Sequence, residues 1–303
     1  MSIWSPEHPN LREEFVGYVG PEQREKYLHN FRAALRLFNE SLETNRNLAV
    51  VGEQLGKALI GVMTLDAEEQ LSMTGGIRRE KSTSTSLAAC LDQMKNALEG
   101  SYYNAILTGA VSEYATMHHF VEMDENYPVY LPDSSVDNYE EGKDKIDCFI
   151  NFNTEDPDNA VIGAIQIKTL PFLKPIERHV YDLSSLRDRD LIENIYQSNL
   201  LNSLGKYNMI EKWEMLKNAL TTYAASYDNV APLLLLYSSP NTDRMRGLLP
   251  EYADKNIEDY TDIILSQARL GAQTATKISR EIMQRQGLYL TKMEQFGTVH
   301  PAL

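Results

Sequence analysis

The stretch "AVIGAIQIKT", residues 160–169, decides the fold. Its apolar residues run almost without a break, as in a strand covered on both faces. Alternation along a strand sets Ile165 and Ile167 on one face and puts Gln166 and Lys168 together on the other, in line with Ile162 and Ala164. An amide and an ammonium side by side in such a run need partners of their own.

The preceding segment offers one. "KIDCFINF", residues 145–152, alternates Ile146, Cys148, Ile150 and Phe152 against Asp147, Phe149 and Asn151. The turn cluster "NTEDPDN" follows, so a hairpin sets the two strands side by side. One face then brings together the Asp147 carboxylate, the Gln166 oxygen and the Lys168 ammonium. Upstream, "NAILTGAVSEYATMHHFV", residues 104–121, reads as a helix. Its apolar stripe runs Ile106, Ala110, Glu113, Met117, Phe120, and Glu113 falls in the middle of it. A carboxylate on a buried face is costly unless it is paired or coordinates a metal. Gly109, one turn earlier, leaves room for a close approach.

Phosphodiester hydrolysis gives these residues a common purpose. It needs Mg²⁺ or Mn²⁺ to polarise a phosphoryl oxygen and activate water. Such hard cations take oxygen ligands. Asp147, Glu113, the Gln166 side-chain oxygen and a strand carbonyl, that of Ile167, can supply them. Lys168 can orient the attacking water or neutralise developing phosphate charge.

Gly109-x-x-x-Glu113 on a helix, Asp147 opening one strand and Gln166-Ile-Lys168-Thr169 in the next resemble the PD-(D/E)XK nuclease superfamily in its QxK form. The resemblance covers roughly residues 104–240. It implies a restriction-endonuclease-like α/β core, a mixed central sheet flanked by helices. It also implies a Mg²⁺-dependent nuclease, endo- or exonucleolytic, acting on nucleic acid and above all on DNA. Asp147 matches the metal-binding aspartate, Lys168 the catalytic lysine and Glu113 the helix glutamate of many members. Gln166 stands where most members carry Asp or Glu, and Ile146 stands where proline often precedes the aspartate. With one charge fewer in the site, Glu113 becomes more necessary.

The rest of the chain is organised around this core. Residues 1–103 read as a helical N-terminal extension. Tyr27, Phe31, Leu35, Phe38 and Leu42 recur at helical spacing, as do Leu48, Val51, Leu55, Leu59 and Val62. "YPVYL" and "LLLLY" (233–237) read as strands, and helical patterns fill 188–226 and about 256–286. Residues 241–303 read as a helical C-terminal segment. "LKPIERHVYDLSSLRDRD", residues 173–190, reads as a solvated helix of mixed charge.

The net charge of −14 disfavours non-specific binding to polyanions. Any nucleic-acid site must be a local basic patch or use divalent cations. The loop "MTGGIRREKSTSTS", residues 73–86, reads first as a linker. Its Arg78, Arg79 and Lys81 are the candidate phosphate contacts. The opening "MSIWSPEHPN" has neither the basic region nor the apolar run of a signal peptide. No stretch reaches the length of a membrane span. Cys90 and Cys148 form no disulfide framework, which suits the cytoplasm of a prokaryotic or phage-infected cell. No P-loop, dinucleotide fingerprint or zinc motif is present.

The acidic charge and long helical ends also suit a different class: a non-catalytic structural or assembly protein, phage-encoded, that keeps a nuclease-like fold. Its helical extensions would bind a protein partner or a second copy. A plainer alternative to the nuclease-like fold itself has Gln166 and Lys168 on an exposed strand edge and Glu113 paired with a lysine.

Overall fold

The computed structural model describes residues 11–14, 21–44, 48–74, 85–123, 129–132, 146–152, 162–170, 178–202, 209–227, 230–238, 264–278 and 281. In chain order the elements are β1 (Leu11–Glu14), α1 (Pro21–Thr44), α2 (Leu48–Thr74), α3 (Thr85–Ala97) and α4 (Gly100–Met123). Then come β2 (Val129–Pro132), β3 (Cys148–Asn151), β4 (Ile162–Leu170), β5 (Val180–Asp182), α5 (Leu186–Asn202), α6 (Met209–Ala225) and β6 (Val230–Ser238). A further helix, α7, covers residues 264–278.

The strands form one mixed sheet in the order β1-β2-β3-β4-β6-β5. β1 to β4 are antiparallel to their neighbours, β4 and β6 are parallel, and β5 runs against β6. A parallel pair needs a long crossover, and α5 and α6 lie in the one that joins β4 to β6. β4 is therefore an interior strand and Gln166 is buried, so the exposed-edge alternative does not hold.

Helices cover both faces. One buried cluster joins Phe31, Leu35 and Phe38 of α1, Leu55 and Leu59 of α2 and Met117 and Phe120 of α4 to Cys148, Ile150, Ile165, Ile167 and Leu233 of the sheet. Ala268, Ala272 and Ala275 of α7 belong to it as well. The other cluster sets Ile192 and Tyr196 of α5 and Trp213, Leu216 and Leu220 of α6 against Phe149, Ile162, Ala164, Leu234 and Leu236. Residues 162 and 164 thus face opposite to 165 and 167, as strand alternation requires.

Two expectations need correction. Ile146 packs with Phe149, not with Cys148 and Ile150, because regular alternation breaks where β3 begins. The described part of 173–190 opens as a strand, β5, and turns into α5 only at Leu186. There Asp188 is buried, accepts two bonds from Arg178 at 2.8 and 2.6 Å, and takes the Asp182 amide at 2.8 Å. The charges of this stretch therefore brace the strand–helix corner. Beside Gly109 the space is open: among the described residues, nothing beyond its chain neighbours and its own helix backbone comes within 4 Å of where a Cβ would sit. Among the described residues, no helix is long and apolar enough to cross a membrane.

Candidate active site

The site forms where two strands part. β3 and β4 pair from Asn151↔Ile162 to Cys148↔Ile165. One further backbone bond, from the Asp147 amide to the Ile165 carbonyl at 2.8 Å, closes the ladder. The next amide of β4 that points this way belongs to Ile167. Instead of a strand carbonyl it meets the Asp147 side chain, donating to Oδ2 at 2.7 Å. The Gln166 Nε2 donates to the same oxygen. Asp147 thus occupies the position that a continued β3 would have filled, in the plane of the sheet. It is 7% exposed.

Gln166 is 1% exposed, and its Oε1 has no hydrogen-bond partner among the described residues. An acceptor buried without a donor is costly. Turning the amide over would not help, because Oε1 would then face the Asp147 carboxylate. The Ile167 carbonyl lies past the last β3 pair and receives a long contact, 3.4 Å, from Gln166 Nε2.

Glu113 and Lys168 complete the group electrostatically. Burial, and after it Asp147, pushes the Glu113 carboxyl up to about 8, against the pull of Lys168 and Lys57. Burial lowers the Lys168 ammonium, but Asp147, Glu53, Glu113 and Tyr196 outweigh it and hold the ammonium above its ordinary range. Both residues keep some surface in solvent. Burial, then Asp147 and Glu113, raises the Cys148 thiol well above its usual value, so Cys148 is no thiolate nucleophile.

Hydrogen bonds thus join Asp147 to Gln166 and Ile167, while Glu113 and Lys168 are linked to Asp147 and to each other by charge alone, and α4 packs on the Ile165 and Ile167 face of the sheet. Arg78, Arg79 and Lys81 lie outside the described residues. Three charged or polar neighbours carry no local signature in the sequence. Glu53 and Lys57 come from α2, where they pair at 4.0 Å. Tyr196 comes from α5, with its hydroxyl raised to about 12 by burial against the opposing pull of Lys168.

Among the described residues, no three His, Cys, Asp or Glu side chains cluster as a metal-holding group. The oxygens that could hold a cation are of another kind: two carboxylates, the Gln166 amide oxygen, which no described residue reaches, and the Ile167 carbonyl beyond its ladder. All are oxygens, the ligand type of Mg²⁺ and Mn²⁺. Compared with known proteins, the chain matches no family model, no curated protein and no solved structure.

Proposed function

We propose that the chain is a metal-dependent phosphodiesterase of the PD-(D/E)XK type, acting on DNA in the cytoplasm. The observation that carries this reading is the open ladder position at Asp147, with Gln166 and Lys168 on the adjoining strand. The element order adds support: a helix bearing Glu113, the antiparallel run β2-β3-β4, then helices and the parallel β6. A divalent cation would be held by Asp147, Glu113, the Gln166 oxygen and the Ile167 carbonyl, and would polarise the phosphoryl oxygen. The protein's own groups do the rest. Asp147 is fixed by two N–H donors, so it needs little reorganisation. Lys168 stays protonated and offers a fixed positive charge to the non-bridging phosphate oxygens or to a water beside them. Arg78, Arg79 and Lys81 are proposed from the sequence as contacts to the phosphate backbone.

Supercoiled, linear and branched DNA, each with Mg²⁺ or Mn²⁺, test the reading. Cleavage should require the cation and stop with chelator. Asp147→Ala and Lys168→Ala should each lower the rate by about a hundredfold or more, with unchanged circular dichroism. Cleavage that persists in chelator, or in both variants, overturns the mechanism. No cleavage of any substrate favours the non-catalytic assembly protein.

A further inference from the structure

Two hydroxyl contacts tie α4 to the sheet on either side of Glu113. Thr169 of β4 donates to Ser112 Oγ at 2.8 Å, and Ser112 donates to the Gly109 carbonyl of its own helix, also at 2.8 Å. One turn on, Thr116 donates to the Ser112 carbonyl at 2.6 Å, which commits its only proton. The Tyr237 hydroxyl of β6, 2.9 Å from Thr116 Oγ1, is then the donor in that pair. All four hydroxyl protons have acceptors. Behind Tyr237, a Cβ on Gly271 of α7 would collide with the tyrosine hydroxyl, so glycine lets the helix close over it.

These contacts sit in an otherwise apolar layer. Ser112, Thr116 and Tyr237 are buried, next to Met117, Ile165 and Ile167. Hydrogen bonds there add little net stability but are costly to break, so they select one register of helix on sheet. The register matters because Ser112 precedes Glu113 and Thr169 follows Lys168. A slide of α4 by one residue, about 1.5 Å, would displace Glu113 by as much and break both contacts.

We propose that Ser112 and Thr169, backed by Thr116 and Tyr237, are positioning residues that fix the depth at which Glu113 meets Asp147 and Lys168. The inference rests on the cation-dependent reading of the site. Calorimetric Mn²⁺ binding tests it, with urea unfolding in chelator run beside it. Thr169→Val should bind Mn²⁺ roughly tenfold or more weakly, the usual size of an outer-shell effect. Thr169→Ser, which restores the hydroxyl, should bind as the wild type does. In a Glu113→Gln background, Thr169→Val should cost little more, because the group it positions has gone. Ser112→Ala, a good helix former, should reproduce the loss and serves if Thr169→Val does not fold. Unchanged affinity in Thr169→Val, or an equal loss in the Glu113→Gln background, leaves the hydroxyls a packing role and overturns the inference alone. A wild type that binds no Mn²⁺ overturns the cation-dependent reading itself, and the inference with it.

Discussion

Both described donors to Asp147 reach one oxygen, Oδ2, and one of them is the Gln166 amide. Replacing that amide by a carboxylate turns a hydrogen bond into a like-charge contact in a buried place. Gln166→Glu is therefore expected to lose stability in chelator, by about 1–3 kcal/mol, and to regain it when Mn²⁺ is added. Its Mn²⁺ affinity should exceed that of the wild type, since opposite charges attract more strongly in a partly desolvated site. Gln166→Leu should lose cation binding. Thermal unfolding with and without Mn²⁺ reads both, and a Gln166→Leu protein stabilised by Mn²⁺ like the wild type would remove Gln166 from the ligand set. The pairing of Asp147 with Gln166 was legible in the sequence, because a polar residue in an apolar run needs a partner. The roles of Glu53, Lys57 and Tyr196 were not. Each lies on a helix packed from far away in the chain, and no spacing within α2 or α5 points to β4.

Elements were legible in proportion to their length and regularity. α1, α2, α4, β4 and β6 show helical or strand patterns over nine residues or more. β5, three residues long, sits among charges that mimic a helix surface, and β1 has only four residues. What defines β5 is non-local: its pairing with β6 and the clip from Arg178 to Asp188. Asp188 also lies in the first turn of α5, where its amide reaches Ser185 Oγ at 3.4 Å. A carboxylate there complements the helix N-terminus as well. Asp188→Ala leaves the Arg178 guanidinium and the Asp182 amide without their acceptor. The expected loss is about 2–3 kcal/mol, discounted because Arg178 is partly exposed. Urea unfolding of Asp188→Ala and Asp188→Asn measures it, and a loss below experimental error would mean that the clip contributes nothing. Either variant should leave Mn²⁺ binding unchanged.

At the scale of the whole molecule, the sheet is the common wall of two cores. Leu55 belongs to the core on the α1, α2 and α4 side, and Trp213 to the one under α5 and α6. β3, β4 and β6 contribute alternate residues to both, so damage to one should be felt in the other. Leu55→Ala is expected to cost about 2–5 kcal/mol. Trp213 fluorescence, followed in a Trp4→Phe background, should move to lower denaturant together with the far-ultraviolet transition. A Trp213 transition that stays in place while the other shifts would make the two layers separate folding units. The sequence, read segment by segment, set residues 1–103 apart as an extension. Only the packing reveals that α1 and α2 share a core with the strands that carry the site.

The strand order also bears on how copies of the chain meet. Among the described residues, the long apolar strands β4 and β6 are enclosed, whereas the outermost strands are a four-residue β1, with a register irregularity against β2, and a three-residue β5. Short and irregular edges are poor templates for strand addition. A sheet that carries "LLLL" at its centre is thereby shielded from polymerising edge to edge, and self-association by way of its described edges is disfavoured relative to contact through the helical layers.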